Sequence, residues 1–191
     1  GVTGTHGIPR LPGNNNYKVL ESGALAVGYS EIDTNNVAIN STVRDGRPPC
    51  MQLGFCTSGC KVHAKWSTLY TEIAQAELTD YFELRPESMA VRITHDDKGR
   101  IDAVVYRDSH GVEITQQARI VCVAGNAVET TRILLNSHSE RYPDGLANSS
   151  GQVGRNYMHH FAIPVIGIMP GPVNSHRGTH QAGIVKDERG H

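Results

Sequence analysis

RIVCVAGNAVETTRILLNS, residues Arg119–Ser137, changes pattern in the middle. Arg119–Ala124 is continuously apolar, which predicts a strand covered on both faces in a parallel sheet. Within it, Cys122 reads as a small core residue. The run stops at Gly125. A helix follows, expected over Val128–Asn136, with Val128, Ile133, Leu134 and Leu135 as its apolar residues. Strand, glycine, helix is the geometry that brings a helix N-terminus and free backbone N–H groups to an anionic group. Taken alone the turn is weak evidence, because many parallel sheets carry one with nothing bound.

Upstream of this stretch the pattern is that of an antiparallel meander over Tyr81–Thr115. Tyr81–Arg85 and Met89–His95 read as strands. Asp97-Lys98-Gly99-Arg100 reads as a hairpin turn, Ile101–Arg107 as a strand, Ser109-His110-Gly111 as a second turn and Val112–Thr115 as the last strand. Two helices are expected earlier. One covers Asn14–Tyr29, with N-cap candidates in Asn14–Asn16 and an apolar stripe of Val19, Leu20, Ala24 and Val27. The other covers Ala64–Leu78, where Trp66, Leu69, Ile73 and Ala76 recur at helical spacing. Glu31–Val43 has room for one short strand. Gly1–Gly13 reads as loop, Phe161–Met169 as a strand-like apolar run with Pro164, and Gly171–His191 is glycine-rich and polar.

Between these elements lies RPPCMQLGFCTSGCKVHAKWS, Arg47–Ser67. Cys50, Cys56 and Cys60 follow one another as C-x5-C-x3-C. Thiolates are soft ligands, and three in one loop can converge on one soft metal centre. Gly54 and Gly59 let the backbone turn tightly around it. Spacing alone leaves four readings open: an iron–sulfur site, zinc with His63 as fourth ligand, a disulfide between two of the three, or inert thiols.

With 38% hydrophobic and 19% charged residues and a net charge of −1, the chain suits a folded globular unit or part of one. Near-neutral charge without a Lys/Arg block argues against nucleic acid as the main partner. No apolar run approaches the length that spans a bilayer. The chain opens on Gly1 and stops at His191 with neither end looking finished, so it reads as an internal piece of a longer protein. Asn40-Ser41-Thr42 and Asn148-Ser149-Ser150 match glycosylation sequons, a pattern common by chance.

A Ser67 in a helix, a meander containing Val91-Arg92-Ile93, the turn ending Gly99-Arg100, then VCVAGNAVETTRILLNS and VGRNYMHH stand in an order that resembles the glucose–methanol–choline (GMC) oxidoreductases. Asn126 after the glycine, Thr131 and His159 depart from that family's usual residues. These departures resemble its branch of gluconate, fructose and FAD-dependent glucose dehydrogenases. The resemblance implies an α/β fold: part of a Rossmann-like FAD-binding domain with an antiparallel meander, then the start of an antiparallel substrate domain. It divides the chain into a cysteine-bearing cap and loop region (residues 1–63), part of the FAD-binding domain (64–160) and the start of the substrate domain (161–191).

The same resemblance implies FAD-dependent oxidation of a CH–OH group in a sugar, polyol or sugar acid. It places Met89, Ala90 and Val91 beside the adenine and Ala124, Gly125 and Asn126 along the dinucleotide. Glu129 would position that turn, and Asn156 and His160 would lie towards the flavin. Cys50, Cys56 and Cys60 match the loop that holds a three-iron (3Fe-4S) cluster in some catalytic subunits of the branch. A cytochrome c or quinone acceptor, a small chaperone-like subunit and a periplasmic or membrane-associated setting are implied with it. No catalytic base is expected here: the family's histidine lies further towards the C-terminus, and His159-His160 does not match it. The G-x-G-x-x-G pyrophosphate loop is likewise not in the sequence, so tight FAD binding by this chain alone is not expected.

Overall fold

The computed structural model describes residues 7–187. They form two compact units, Glu83–Pro164 and a second made from the flanking segments up to Phe82 and from Val165 onward.

In the Glu83–Pro164 unit, β2 (Met89–His95), β3 (Ile101–Arg107) and β4 (Glu113–Gln117) form an antiparallel sheet in chain order. Two aspartates make its turns. Asp96 Oδ1 accepts from the N–H groups of Lys98 (3.0 Å) and Arg100 (2.8 Å), and Asp108 Oδ1 from those of His110 and Val112 (2.9 Å each). Gly99 and Gly111 supply the left-handed residues these turns need, at φ +82° and +78°. In β3, Ala103 and Val105 are buried while Asp102 is exposed, the period-2 alternation of a sheet covered on one face.

The covering layer is α3 (Asn126–Asn136). Its Ile133 meets Ile93 of β2 and Leu146 in a small core, with Ala90, Ile101, Val121, Val123, Leu134 and Tyr142 packed around them. Ser137, just past the helix, is buried. Its hydroxyl accepts from the Ile93 N–H (2.8 Å) and donates to the Ile133 carbonyl (2.6 Å). One side chain thereby ends the helix and satisfies an edge N–H of β2.

The flanking-segment unit contains α1 (Asn15–Ala26), with Asn14 as its N-cap: Asn14 Oδ1 accepts from the Tyr17 N–H at 3.1 Å. β1 (Ile32–Thr34) pairs antiparallel with β5 (Gly183–Val185). Between these strands in sequence lie a 3₁₀ turn, Thr68–Tyr70, and α2 (Glu72–Ala76). No helix among the described residues is long and apolar enough to cross a membrane.

Several expectations are corrected. Tyr81–Arg85 is irregular and exposed; Arg85 instead grips side chains, pairing with Glu83 (2.7 Å) and donating to Gln116 Oε1 (2.6 Å). The helix expected over Ala64–Leu78 is reduced to the 3₁₀ turn and α2, because Trp66 and Leu69 stay exposed and drive no packing. The strand-like run Phe161–Met169 forms no strand and is exposed throughout. Arg119–Ala124 is irregular and belongs to neither sheet. Val121 and Val123 pack on the Ile93–Ile133–Leu146 core while Ile120 is 85% exposed and Cys122 is exposed, so Cys122 is not a core residue. No strand among the described residues lies along that run to pair with it, and both sheets among them are antiparallel. β5 lies inside the glycine-rich, polar tail, where a short strand pairing with a distant segment leaves little local signal.

Ser137→Ala should leave the Ile93 N–H buried and unpaired, lowering stability by about 1–3 kcal/mol in urea unfolding; an unchanged midpoint would refute this role. A second expectation concerns Asp33, whose carboxyl is held below the usual aspartate range. Its hydrogen bond from Lys186 (2.8 Å) is the main cause, helped by the Thr34 N–H and Arg10. A depressed carboxylate adds stability above its unfolded pKa and loses it as pH falls through the folded value. The thermal midpoint should therefore drop through that acidic window, and Asp33→Asn should flatten the drop.

Candidate functional site

The cysteine loop is closed at its base by one buried residue. Asn40 is 4% exposed. Its carbonyl accepts from the Cys50 N–H (2.8 Å), and its own N–H donates to the Ala64 carbonyl (2.9 Å). The two ends of the loop are thus fastened to the backbone N–H and carbonyl of one residue. The Trp66 N–H to the Ala38 carbonyl (2.7 Å) extends the closure, and Asn40 Nδ2 reaches the carbonyls of Arg44 and Arg47 at 3.5 and 3.4 Å. A side-chain amide so enclosed is no glycosylation acceptor. Asn40 is the functional residue that sequence reasoning missed: its only visible signal was the sequon.

Within the loop all three thiols are free and half-buried. The Gln52 N–H points at Cys50 Sγ and the Lys65 N–H at Cys60 Sγ, both at 3.4 Å, while Lys65 Nζ donates to the Cys56 carbonyl at 2.8 Å. Burial pushes the Cys50 thiol above its ordinary range, with Cys56 and Cys60 adding to the rise and the Gln52 N–H opposing it. The loop holds all three thiols in one short segment. It does not bring them to one point: no group of three His, Cys, Asp or Glu among the described residues is placed to hold a single ion. Tetrahedral zinc at about 2.3 Å from each sulfur needs sulfurs roughly 4 Å apart. A cluster binds its thiolates on separate irons and accepts a wider set. His63, the fourth zinc ligand considered, has its ring stacked on Tyr70 (3.9 Å between centroids, 9° between planes). Three thiolate donors with N–H groups on two of the sulfurs are of the chemistry that an iron–sulfur cluster takes.

A cleft of about 950 Å³ lies in the same unit, lined among others by Arg10, Asn40, Arg47, Trp66 and Tyr70. Arg47 is held by its Nη1 to the His63 carbonyl (3.1 Å), and its buried Nε has no partner. Cation, amide and aromatic faces together suit a hydroxyl-rich or anionic ligand.

The nine residues expected to face a dinucleotide all fall in the Glu83–Pro164 unit. Met89 opens β2 opposite Arg107 and is exposed, and Ala90 is half-buried against the core. Val91 sits in a β-bulge: Ala90 faces Tyr106 and Arg92 faces Val105, leaving Val91 with no opposite residue. Bulges release a residue from the ladder and re-aim it, and they recur beside functional sites. Ala124 and Gly125 lead into α3, and a Cβ on Gly125 would press on Glu129 Cβ at 3.3 Å, so the turn lies close on its own helix. Glu129 is paired with Arg132 at 2.6 Å.

Asn126 has φ +74°, and its Oδ1 accepts from the N–H groups of Val128 (2.9 Å) and Glu129 (3.1 Å). The expected free N–H groups at this helix start are therefore partly taken by the helix's own side chain. Asn156, at φ +56°, donates to Gln152 Oε1 at 3.2 Å. It follows Gly154, whose Cα lies against α3: an added Cβ would meet Thr131 Cγ2 at 3.2 Å. His159 and His160 are exposed, outside any regular element. The β2 and α3 residues share one layer contact, whereas His160 is drawn to none of them among the described hydrogen bonds.

The sequence model of the GMC oxidoreductases matches residues 8–162. The chain belongs to the GMC oxidoreductase family. Its curated GMC relatives include the fructose dehydrogenase large subunit of Gluconobacter japonicus, 34% identical over 66% of this chain and 23% of the relative. The paromamine 6'-oxidase of Streptomyces fradiae is 31% identical over 81% of this chain and 29% of the relative. The 2-methyl-1,2-propanediol dehydrogenase of Mycolicibacterium austroafricanum is 32% identical over 64% and 22%. The chain spans under a third of the length of these relatives. GMC membership makes it part of an oxidoreductase and implies an FAD-binding domain.

Asn126 gives a test of the turn. Asn126→Ala should lose the cap and keep the left-handed φ, lowering stability by about 1–2 kcal/mol, whereas Asn126→Gly should cost only a few tenths. The stability order wild type, Gly, Ala in thermal unfolding is the expected result, and Ala above Gly would contradict it.

Proposed function

We propose that this chain is the portion of an FAD-dependent GMC dehydrogenase that carries the adenine-side meander, the strand–helix turn and an electron-relay loop. The observation that carries the reading is a GMC match running through a loop of three free thiols closed on Asn40. The substrate class is a CH–OH group of a sugar, polyol or sugar acid. The names of two relatives, a fructose dehydrogenase and a propanediol dehydrogenase, support it.

The residues divide the work. Val91, released from the ladder by its bulge, and its neighbours Met89 and Ala90 offer backbone groups to the adenine. Ala124–Asn126 form a close-packed turn against which the dinucleotide lies, and the Asn126 cap and Glu129–Arg132 pair hold its shape. With Asn126 on two N–H groups of α3, the pyrophosphate charge falls mainly to backbone donors supplied from other parts of the protein. Asn156 and His160 belong on the flavin side. Bound FAD would supply a hydride acceptor for the carbinol carbon, with the hydroxyl proton going to a base. Cys50, Cys56 and Cys60 would hold a three-iron cluster that passes the electrons singly to a cytochrome or quinone. The word "large subunit" in one relative's name supports assembly with further subunits. In the same reading, residues 1–63 form the cap and loop region, 64–160 part of the FAD domain, and 161–191 the start of the substrate domain.

The second reading is a GMC oxidase whose cysteines carry nothing, favoured by the paromamine 6'-oxidase likeness. Cys56→Ser in the native protein separates the two. The relay predicts that substrate still bleaches the flavin while reduction of a one-electron acceptor is lost. A variant that reduces the acceptor at the wild-type rate removes the relay.

A further inference from the structure

The cysteine loop has a wall supplied by the far end of the chain. Asn14, Asn15 and Asn16, at the start of α1, each turn a side-chain Nδ2 onto a backbone carbonyl of one segment. Asn14 bonds Thr179 (3.1 Å), Asn15 bonds Val173 (2.9 Å) and Asn16 bonds Ser175 (3.1 Å). The segment Val173–Thr179 is folded by the Arg177 N–H bond to the Asn174 carbonyl (3.0 Å), with Asn174 at φ +53°.

Two glycines key this segment to the cysteine loop, one on each side. Gly54, between Cys50 and Cys56, has φ +80°, and the place of its missing Cβ is taken by the carbonyl oxygen of His176. Gly178, buried at φ +121°, lies where a Cβ would run into the side chains of Asn14 and Gln52. Gln52 itself belongs to the cysteine loop. Its N–H faces Cys50 Sγ at 3.4 Å, its Nε2 donates to the Pro12 carbonyl at 3.4 Å, and its Oε1 is buried without a partner. Gly59, in the other limb of the loop, has φ +93° and no heavy atom within 4 Å of where its Cβ would stand. The contact is thus confined to the Cys50–Cys56 limb.

We propose that Val173–Thr179 is a positioning strap for the thiol loop, with Asn14–Asn16 as its clamp and Gly54 and Gly178 as its two points of close approach. The strap fixes the conformation of the Cys50–Cys56 limb and keeps solvent and oxidants from its thiols. The inference rests on the reading that this loop holds the cluster. Cluster lifetime and potential depend on solvent access and on hydrogen bonds to the sulfurs, so a strap that sets both acts without touching a ligand. Asn14, Asn16, Gly54 and Gly178 are positioning residues in this sense. Their substitution displaces the limb and leaves the donor set intact.

The test uses the native protein and three variants: Gly54→Ala, Asn16→Ala and Gly59→Ala. Iron and acid-labile sulfide per flavin are measured before and after dialysis in air, together with the midpoint potential of the cluster. The same proteins, stripped of metal, are treated with iodoacetamide, and the alkylation of Cys50 and Cys56 is followed peptide by peptide. Asn16→Ala removes one clamp bond, so alkylation should rise by about fivefold. Gly54→Ala should raise it further, lose iron faster in air and shift the potential, with flavin content unchanged. Gly59→Ala carries the same left-handed strain without the contact, so its alkylation rate should stay close to that of the wild type.

Equal damage from Gly59→Ala and Gly54→Ala would overturn the strap, because backbone strain alone would then explain the effect. Wild-type alkylation rates in both Gly54→Ala and Asn16→Ala would overturn it too. Native protein without iron would instead end the cluster reading, and the alkylation comparison would still decide whether the strap shields the thiols.

Discussion

Asn40 is the fastening on which the cysteine loop depends. A loop of this length has no regular structure to hold its shape, and closing it costs conformational entropy. The backbone of one buried residue receives that closure, its carbonyl accepting from the Cys50 N–H and its N–H donating to the Ala64 carbonyl. Because Asn40 is buried, these bonds do not compete with water, and breaking either would leave a buried polar group unpaired. The side-chain amide then holds the Arg44–Arg47 turn that leads into the first cysteine. Everything attributed to the thiols presupposes this closure.

Ser137 has the corresponding role in the other unit. The small core of Ile93, Ile133 and Leu146 would hold α3 on the sheet only loosely, since apolar contact is non-directional. The Ser137 hydroxyl adds direction by bonding Ile93 of β2 and Ile133 of α3 together. Beyond it, the Leu146 N–H returns to the Leu134 carbonyl (2.9 Å) and the Tyr142 hydroxyl to the Gly99 carbonyl (3.0 Å). The segment after the helix is so tied to both the helix and the first hairpin. The bulge at Val91 lies on the same strand as Ile93, and its place is therefore fixed relative to the Gly125 turn at the other end of α3.

In both units short polar side chains do the connecting work that a large apolar core does elsewhere. Asparagines at 14, 15, 16, 40 and 126 bind backbone groups, as do Ser137 and the two turn aspartates. The buried apolar residues are few and mostly small. Packing of this kind gives geometry to loops and turns, which is where the candidate ligands lie.

The sequence by itself determined the local elements whose cause is local. The hairpin β2–β3 is readable because alternation and a D-x-x-G turn both act within a few residues. The α1 start is readable because an asparagine N-cap is a short-range bond, and α3 because its apolar spacing is helical. The family was readable for a related reason: its signatures are continuous stretches, lying between Trp66 and His160. The tertiary structure decided what depends on residues far apart. Arg119–Ala124 has the composition of a buried strand, but burial is a property of neighbours, and Ile120 has none among the described residues. The pairing of Ile32–Thr34 with Gly183–Val185, the closure of the thiol loop on Asn40 and the strap over Gly54 join positions whose spacing in sequence carries no signal. Cysteine spacing could nominate the ligands. Only the folded chain showed which backbone bonds hold them and which asparagines hold the wall beside them.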